Sequence, residues 1–189
     1  MPHFIKYGLL VLFLLLQACA QQARHAGDTR PLAEIDHWEI RGKVSLSAEG
    51  ERNTANFRWQ QQGDDYEIRL HGPFGSGAAK LAREGGWVTF NDGDQKLEAA
   101  SAESLLYDNT GWTLPINALR WWVKGLPDPR SPVQTSSTND SGELSKLKQE
   151  GWSLSYKNFL DISGRSLPTK IIAQKDEIKL VMAIKSWKI

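Results

Sequence analysis

From Trp38 onward the chain alternates apolar and polar residues with a period of two, and that alternation confines it to antiparallel sheet. Trp38, Ile40, Val44, Leu46 and Ala48 share one parity, while Glu39, Arg41, Lys43, Ser45 and Ser47 take the other. After a turn at Gly50, Ala55, Phe57 and Trp59 alternate with Thr54, Asn56, Arg58 and Gln60. A second turn at Gly63-Asp64-Asp65 leads to Tyr66, Ile68 and Leu70, set against Glu67, Arg69 and His71. Successive side chains of a strand point to opposite faces, so each run has one dry and one wet face. Turn residues every 8–12 positions predict hairpins between them. Further short strands fit 78–82, 87–90 and 96–98.

The period then changes. Residues 101–107 predict a short helix with Ser101 as its cap and Ser104 in its first turn. Residues 115–124 predict a second, with Pro115 at the first helical position and Gly125 just past the end. Ile116, Leu119, Trp122 and Val123 fall at helical spacing, which presses that helix onto something apolar. Residues 126–142 are rich in Pro, Ser, Thr and Asp and read as a loop. Strands resume at Trp152, Leu154 and Tyr156, and a last one runs over 178–189. Ile178, Leu180, Met182 and Ile184 share a face there, with Lys179 and Lys185 opposite, a common protection for an edge strand. The residues after 142 are too few to fold alone. The expectation is one mainly β domain over 33–189, a curled sheet with two or three helices inserted between its halves.

Composition removes several functions. Twenty-three Lys+Arg against 22 Asp+Glu is not the basic balance of a nucleic-acid binder. One Cys makes neither an internal disulfide nor a Cys-based zinc site. Gly72-Pro73-Phe74-Gly75-Ser76-Gly77 resembles a phosphate loop only superficially, because Ala78 rather than Lys follows Gly77 and no Ser or Thr follows Lys80. His3, His25, His37 and His71 belong to no motif, and no G-x-S-x-G elbow accompanies the serines. Asp64-Asp65 and Asp92/Asp94 sit beside Gly, where turn geometry accounts for them. No enzyme, metal or cofactor is expected. Eight Trp are the compositional oddity and suggest a protein that handles large apolar surfaces. Two features keep two readings each. Phe74, in the loop HGPFGSG, either folds back on the core or projects as an apolar tip. The pair Trp121-Trp122 either packs in the core or lines a ligand cavity.

The start of the chain carries an address. Lys6 supplies a basic charge, residues 9–16 (LLVLFLLL) are all apolar, and Gln17-Ala18-Cys19 follows. This is the plan of a secretory signal peptide, and the run is short of the roughly 20 residues that span a bilayer. Leu16-Gln17-Ala18-Cys19 resembles a bacterial lipobox, with Gln17 departing from the small or apolar residue usual there. The resemblance implies cleavage after residue 18 and acylation of Cys19. Ala20, where an Asp would retain a lipoprotein in the inner membrane, implies the outer membrane. The mature chain then has 22 basic and 22 acidic residues. Residues 19–32 (through QQARHAGDTRPL) read as a lipidated tether.

Four segments together resemble the LolB family of outer-membrane lipoproteins. They are the lipobox at Cys19, FRWQQQGDDYEIRLHGPFGSG (57–77), ALRWWVKGLPDP (118–129) and LPTKIIAQKDEIKLVMAIKSWKI (167–189). The resemblance implies an incompletely closed antiparallel β-barrel of about eleven strands, covered by helices and enclosing an apolar cavity for acyl chains. It implies a monomer that receives lipoproteins from the periplasmic carrier LolA and releases them into outer-membrane lipid, with no nucleic acid involved. The family's loop carries a protruding apolar residue, and Phe74 matches that position, flanked by Gly72, Pro73 and Gly75. The cavity candidates come instead from parity and helical spacing: Val44, Leu46, Phe57, Trp59, Ile68, Leu70, Leu119 and Trp122. The rivals are a structural or envelope-assembly lipoprotein with a filled core, and a membrane-held hydrolase.

Overall fold

The computed structural model describes residues 30–72, 77–110 and 113–189, and its compact body runs over Pro31–Ile189. Cys19 with its leader and the tether through residue 29, and Pro73, Phe74 and Gly75 of the hairpin loop, lie outside the described residues. Eleven strands form one sheet in the order β6-β5-β4-β3-β2-β1-β11-β10-β9-β8-β7. They are β1 (His37–Ala48), β2 (Glu51–Gln62), β3 (Asp65–His71), β4 (Ala78–Glu84), β5 (Trp87–Asn91) and β6 (Lys96–Ala99), then β7 (Val133–Thr138), β8 (Leu144–Gln149), β9 (Trp152–Ile162), β10 (Arg165–Lys175) and β11 (Ile178–Lys188). Every pairing is antiparallel and joins neighbours in sequence, except the one between β1 and β11. The sheet is not closed: β6 and β7 are its two edges. Between them the chain passes through helices α1 (Ala102–Thr110) and α2 (Ile116–Trp122). Ile116, Ala118, Leu119 and Trp122 of α2 join the same core as the inward residues of the sheet.

Ser101 and Gly125 act as expected, whereas Pro115 stands one place earlier than expected, at the N-cap of α2, where its carbonyl accepts the Leu119 N–H at 2.8 Å. The Ser101 hydroxyl accepts the Ser104 N–H at 3.0 Å, satisfying one of the donors that a helix start leaves open. At the end of α2, Gly125 takes φ +74°. Its N–H reaches the Trp122 carbonyl at 2.9 Å and that of Leu126 reaches Trp121 at 3.2 Å, the paired bonds of a Schellman ending.

Four parts of the C-terminal half depart from expectation. Residues 126–142 are not all loop, because β7 lies within them. All six of its residues are exposed, so this edge strand has no core face and leaves no alternation to read. β8 buries Gln149 where an apolar residue would continue the pattern. β10 contains Pro168, which reads against a strand, yet the recorded pairing of β10 with β11 begins only at Lys170. The missing N–H of Pro168 therefore interrupts no bond on that side. The last strand, whose lysines suggested an edge, sits between β1 and β10.

The seam between β1 and β11 joins the two halves of the sheet. Its register shifts between Arg41 and Gly42. The extra residue on β11 moves burial from Leu180, Met182 and Ile184 to Trp187, keeping that indole on the dry face. Trp187 packs 5.8 Å from Trp38, which lies 5.2 Å from Trp59. Trp122 and Trp152 form another pair at 6.3 Å. These tryptophans are mostly spent on packing. Gly42 has no substitute at the seam: a Cβ there would strike the carbonyl oxygen of Ala183. Gly42→Ala should therefore cost about 3 kcal/mol, read as a lower urea midpoint. A change below about 0.5 kcal/mol would show that the seam can spread.

Two buried polar side chains hold the α2 region in place, one against the sheet and one against the segment before β1. Gln149, fully buried, accepts from Trp122 Nε1 at 2.8 Å and from the Asp128 N–H at 2.9 Å. It donates to the Asp128 and Ser131 carbonyls at 2.8 and 2.7 Å. Lys124, 5% exposed, donates to the Ile35 carbonyl at 3.0 Å and the Leu32 carbonyl at 3.3 Å, with its ammonium 4.4 Å from the Trp121 ring centre. Burial, then the positive charge of Arg120, pulls its pKa from 10.5 down to about 8, against the pull of Asp36. Between those values the unfolded chain holds a proton that the folded chain has released, so stability should rise with pH across this window. Lys124→Met should remove that rise. Superimposable pH–stability curves for the two proteins would contradict the burial of a charged Lys124.

Candidate functional site

The dry face of the sheet and the two helices leave a cavity of about 160 Å³ between them. Parity places its strand wall. Val44 and Leu46 come from β1, Phe57 and Trp59 from β2, Ile68 and Leu70 from β3. Ala79 and Leu81 of β4, Phe90 of β5, and Leu180 and Met182 of β11 extend it. Leu106 of α1, Leu114, and Ile116 and Leu119 of α2 cover it. Among the described residues no side chain lining it is ionisable. The one N–H donor among them, Trp59 Nε1, is engaged by Gln61 Oε1 at 3.0 Å. Gln61 is itself buried, and it donates to the Gly63 and Asp65 carbonyls at 2.8 and 3.2 Å. A cavity so lined offers water no partners and stays dry at roughly 150 Å³. It can accept hydrocarbon and little else.

Seven of the eight residues proposed from the sequence are on this wall: Val44, Leu46, Phe57, Trp59, Ile68, Leu70 and Leu119. Trp122 is not. It points from the same helix toward β8 and β9, where Gln149 holds its N–H and Trp152 packs on it. Most of the wall residues not proposed obey the same rules. Ala79 and Leu81 share a parity in β4, Leu180 and Met182 share one in β11, and Ile116 sits one helical turn before Leu119. Phe90 shares a parity with Val88 in β5, while Leu106 and Leu114 carry no signal beyond being apolar.

The wall runs into the β3–β4 hairpin. Leu70 pairs with Ala79 and His71 with Ala78. The Gly72 N–H then bonds the Gly77 carbonyl at 3.1 Å, closing the hairpin around residues 73–76. Leu70 is thus four residues before Phe74. On the wet face of the same strands, charges are paired. Glu67 bonds Arg69 at 2.6 Å and Lys80 at 2.7 Å, and that partnership, with Arg69 first, lowers its pKa to about 2. Glu39 likewise bonds Arg58 at 2.6 Å.

An open antiparallel sheet curled over helices, with a dry cavity beneath them, defines an apolar-ligand scaffold. The crystal structure of a LolA superfamily protein from Nitrosomonas europaea has the same fold, with a TM-score of 0.53 at 11% identity, covering 82% of this chain and 86% of that one. The family profile described as outer membrane lipoprotein LolB matches residues 36–187. A Pseudomonas syringae protein named outer-membrane lipoprotein LolB is 38% identical, covering 98% of this chain and 95% of its own. One of the same name from Cellvibrio japonicus is 34% identical over 97% and 98% of the two chains. The chain belongs to the LolB family.

Proposed function

We propose that this protein is the receptor at the end of lipoprotein transport: it accepts lipoproteins from the carrier LolA, shelters their acyl chains in the cavity and inserts them into the outer membrane. The observation that carries this reading is the wholly apolar wall that leads from under the helices to the 72–77 hairpin. An acyl chain exposing about a dozen methylenes to water costs on the order of 10 kcal/mol, so cargo needs continuous cover. An apolar wall supplies that cover without polar recognition, which suits cargoes of unrelated sequence. A cavity of about 160 Å³ takes one end of a chain, and further chains require the cover of α1 and α2 to lift. Direction comes from a downhill series of carrier, receptor and bilayer, where tenfold per step needs only about 1.4 kcal/mol.

Cys19, acylated, holds the receptor at the membrane. More than one chain is needed for stable attachment, since a single chain binds only marginally. Phe74 delivers, as the apolar tip that enters lipid. The cavity favours this reading over an assembly lipoprotein with a filled core.

The test is a fluorescent apolar dye added to the folded protein and then displaced by a triacylated peptide. Dye uptake lost on adding that peptide, and unaffected by the same peptide without acyl chains, is the expected result. Absence of dye uptake by the native protein would return the core to a structural role. The anchor is tested separately. Cys19→Ala should lose membrane attachment while keeping dye binding, and membrane retention of that variant would exclude Cys19 as the anchor.

A further inference from the structure

The wet face of the C-terminal half differs from that of the N-terminal half in one respect: its charges are almost all of one sign, and the lysines in the middle of it form no ion pair among the described residues. Residues 144–189 hold nine basic and four acidic residues. All four acids, Glu150, Asp161, Asp176 and Glu177, lie at turns or strand ends. The register sets the rest in rows across the sheet. Lys148, Ser153, Gln174, Lys179 and Ser47 form one row. Lys146, Ser155, Ile172, Val181 and Ser45 form the next. Lys157 stands directly opposite Lys170, and the row continues through Ala183 to Lys43. Among the described residues none of these lysines makes an ion pair. Like charges facing each other across two strands are unfavourable to folding. Among the described residues no carboxylate compensates Lys157 and Lys170, whereas Glu39 and Glu67 neutralise Arg41, Arg58 and Arg69 in the other half.

We infer that this outer face of β8–β11 is an electrostatic docking surface for anionic lipid headgroups. With the neighbouring β1, which carries Lys43, it spans five strands, about 19 Å at roughly 4.8 Å per strand. The rows carry lysine and no arginine. Arginine forks select fixed carboxylates two bonds at a time, whereas ammonium groups on flexible stems follow a fluid array of phosphates. Half-buried Ile172 and Val181 lie between the lysine rows, and the hydroxyls of Ser153 and Ser155 stand beside them as donors. A shallow groove with Lys146, Lys148 and Lys175 along it opens on this face, and Asp176 is the one acid at its rim. An apolar floor between ammonium groups matches the headgroup level of a bilayer, and an outer-membrane lipoprotein stays next to one. This surface is independent of the cavity. It would set which side of the body lies against the membrane whether or not the cavity takes acyl chains.

The experiment uses the mature chain, residues 19–189, with Cys19→Ser, so that no anchor holds it and the body over Pro31–Ile189 is untouched. Its sedimentation with vesicles of pure phosphatidylcholine is compared with that on vesicles in which one lipid in three is phosphatidylglycerol. Retention should be at least tenfold stronger on the anionic vesicles and should fall with added salt, because screening acts within about 10 Å at 0.1 M. Each lysine near such a surface contributes roughly fivefold. K146Q/K148Q/K157Q/K170Q should therefore lose the anionic preference, with thermal stability unchanged or raised. Removing positive charges from the other half, K80Q/K96Q, should leave the preference intact. Equal loss in both variants would reduce the effect to net charge and overturn the proposal. So would equal retention on both vesicles, or binding of an acidic protein surface through these lysines without any preference for anionic vesicles.

Discussion

Leu70→Asp should weaken acyl-chain uptake by at least a hundredfold. Leu70 is half-buried on the cavity wall beside Ala79, the last pair of wall residues before the hairpin. A carboxylate there must be desolvated when hydrocarbon arrives, must draw water in, or must take up a proton, and each route costs several kcal/mol. At about 1.4 kcal/mol per tenfold, two factors of ten is a conservative expectation. Its partial exposure should spare the fold much of the cost that Phe57→Asp, at a buried position, would impose. The matched control is Asn56→Asp, exposed on the wet face opposite His71. It should bind acyl chains normally. Equal loss at both positions would mean that uptake does not follow the dry face of the sheet.

Phe74→Glu should leave stability and uptake unchanged and abolish delivery into liposomes. The hairpin closes at Gly72 and Gly77 through a backbone bond, so that closure does not depend on the side chain at 74. A charged group resists entering acyl-chain depth, whereas an aromatic ring settles near the headgroups. Uptake, delivery and melting temperature measured on one preparation separate the outcomes. A stable protein that still delivers cargo would sink the insertion role. A loss of about 3–5 kcal/mol on Phe74→Ala would instead identify a buried aromatic.

The alternation made β1, β2, β3 and β11 legible, because each has one dry and one wet face. It could not reveal β7, which has no dry face, nor β8 and β10, where Gln149 and Pro168 occupy positions that only their particular partners make tolerable. The cavity was legible wherever parity alone decided. Six wall residues on β1–β3 follow from it directly. Helical spacing is coarser. It grouped Leu119 with Trp122, but α2 is only seven residues long and packs on two sides. Leu119 meets the cavity, while Trp122 meets Gln149 and Trp152. The unusual number of tryptophans pointed to ligand handling, yet among the described tryptophans Trp59 alone lines the cavity, and Trp38, Trp187, Trp122 and Trp152 build the core beside it. The central position of β11 was hidden because the partner of the last strand is the first, a pairing that no local pattern records.

The most direct measurement is photo-crosslinking with a triacylated peptide that carries a diazirine in one acyl chain, followed by mass spectrometry of the labelled fragments. Label should concentrate on Val44–Leu46, Phe57–Trp59, Ile68–Leu70 and Leu180–Met182, the strand segments of the cavity wall, and should be competed away by unlabelled triacylated peptide. Label spread evenly over the wet face, or label on the wall that no competitor reduces, would contradict a cavity that holds acyl chains.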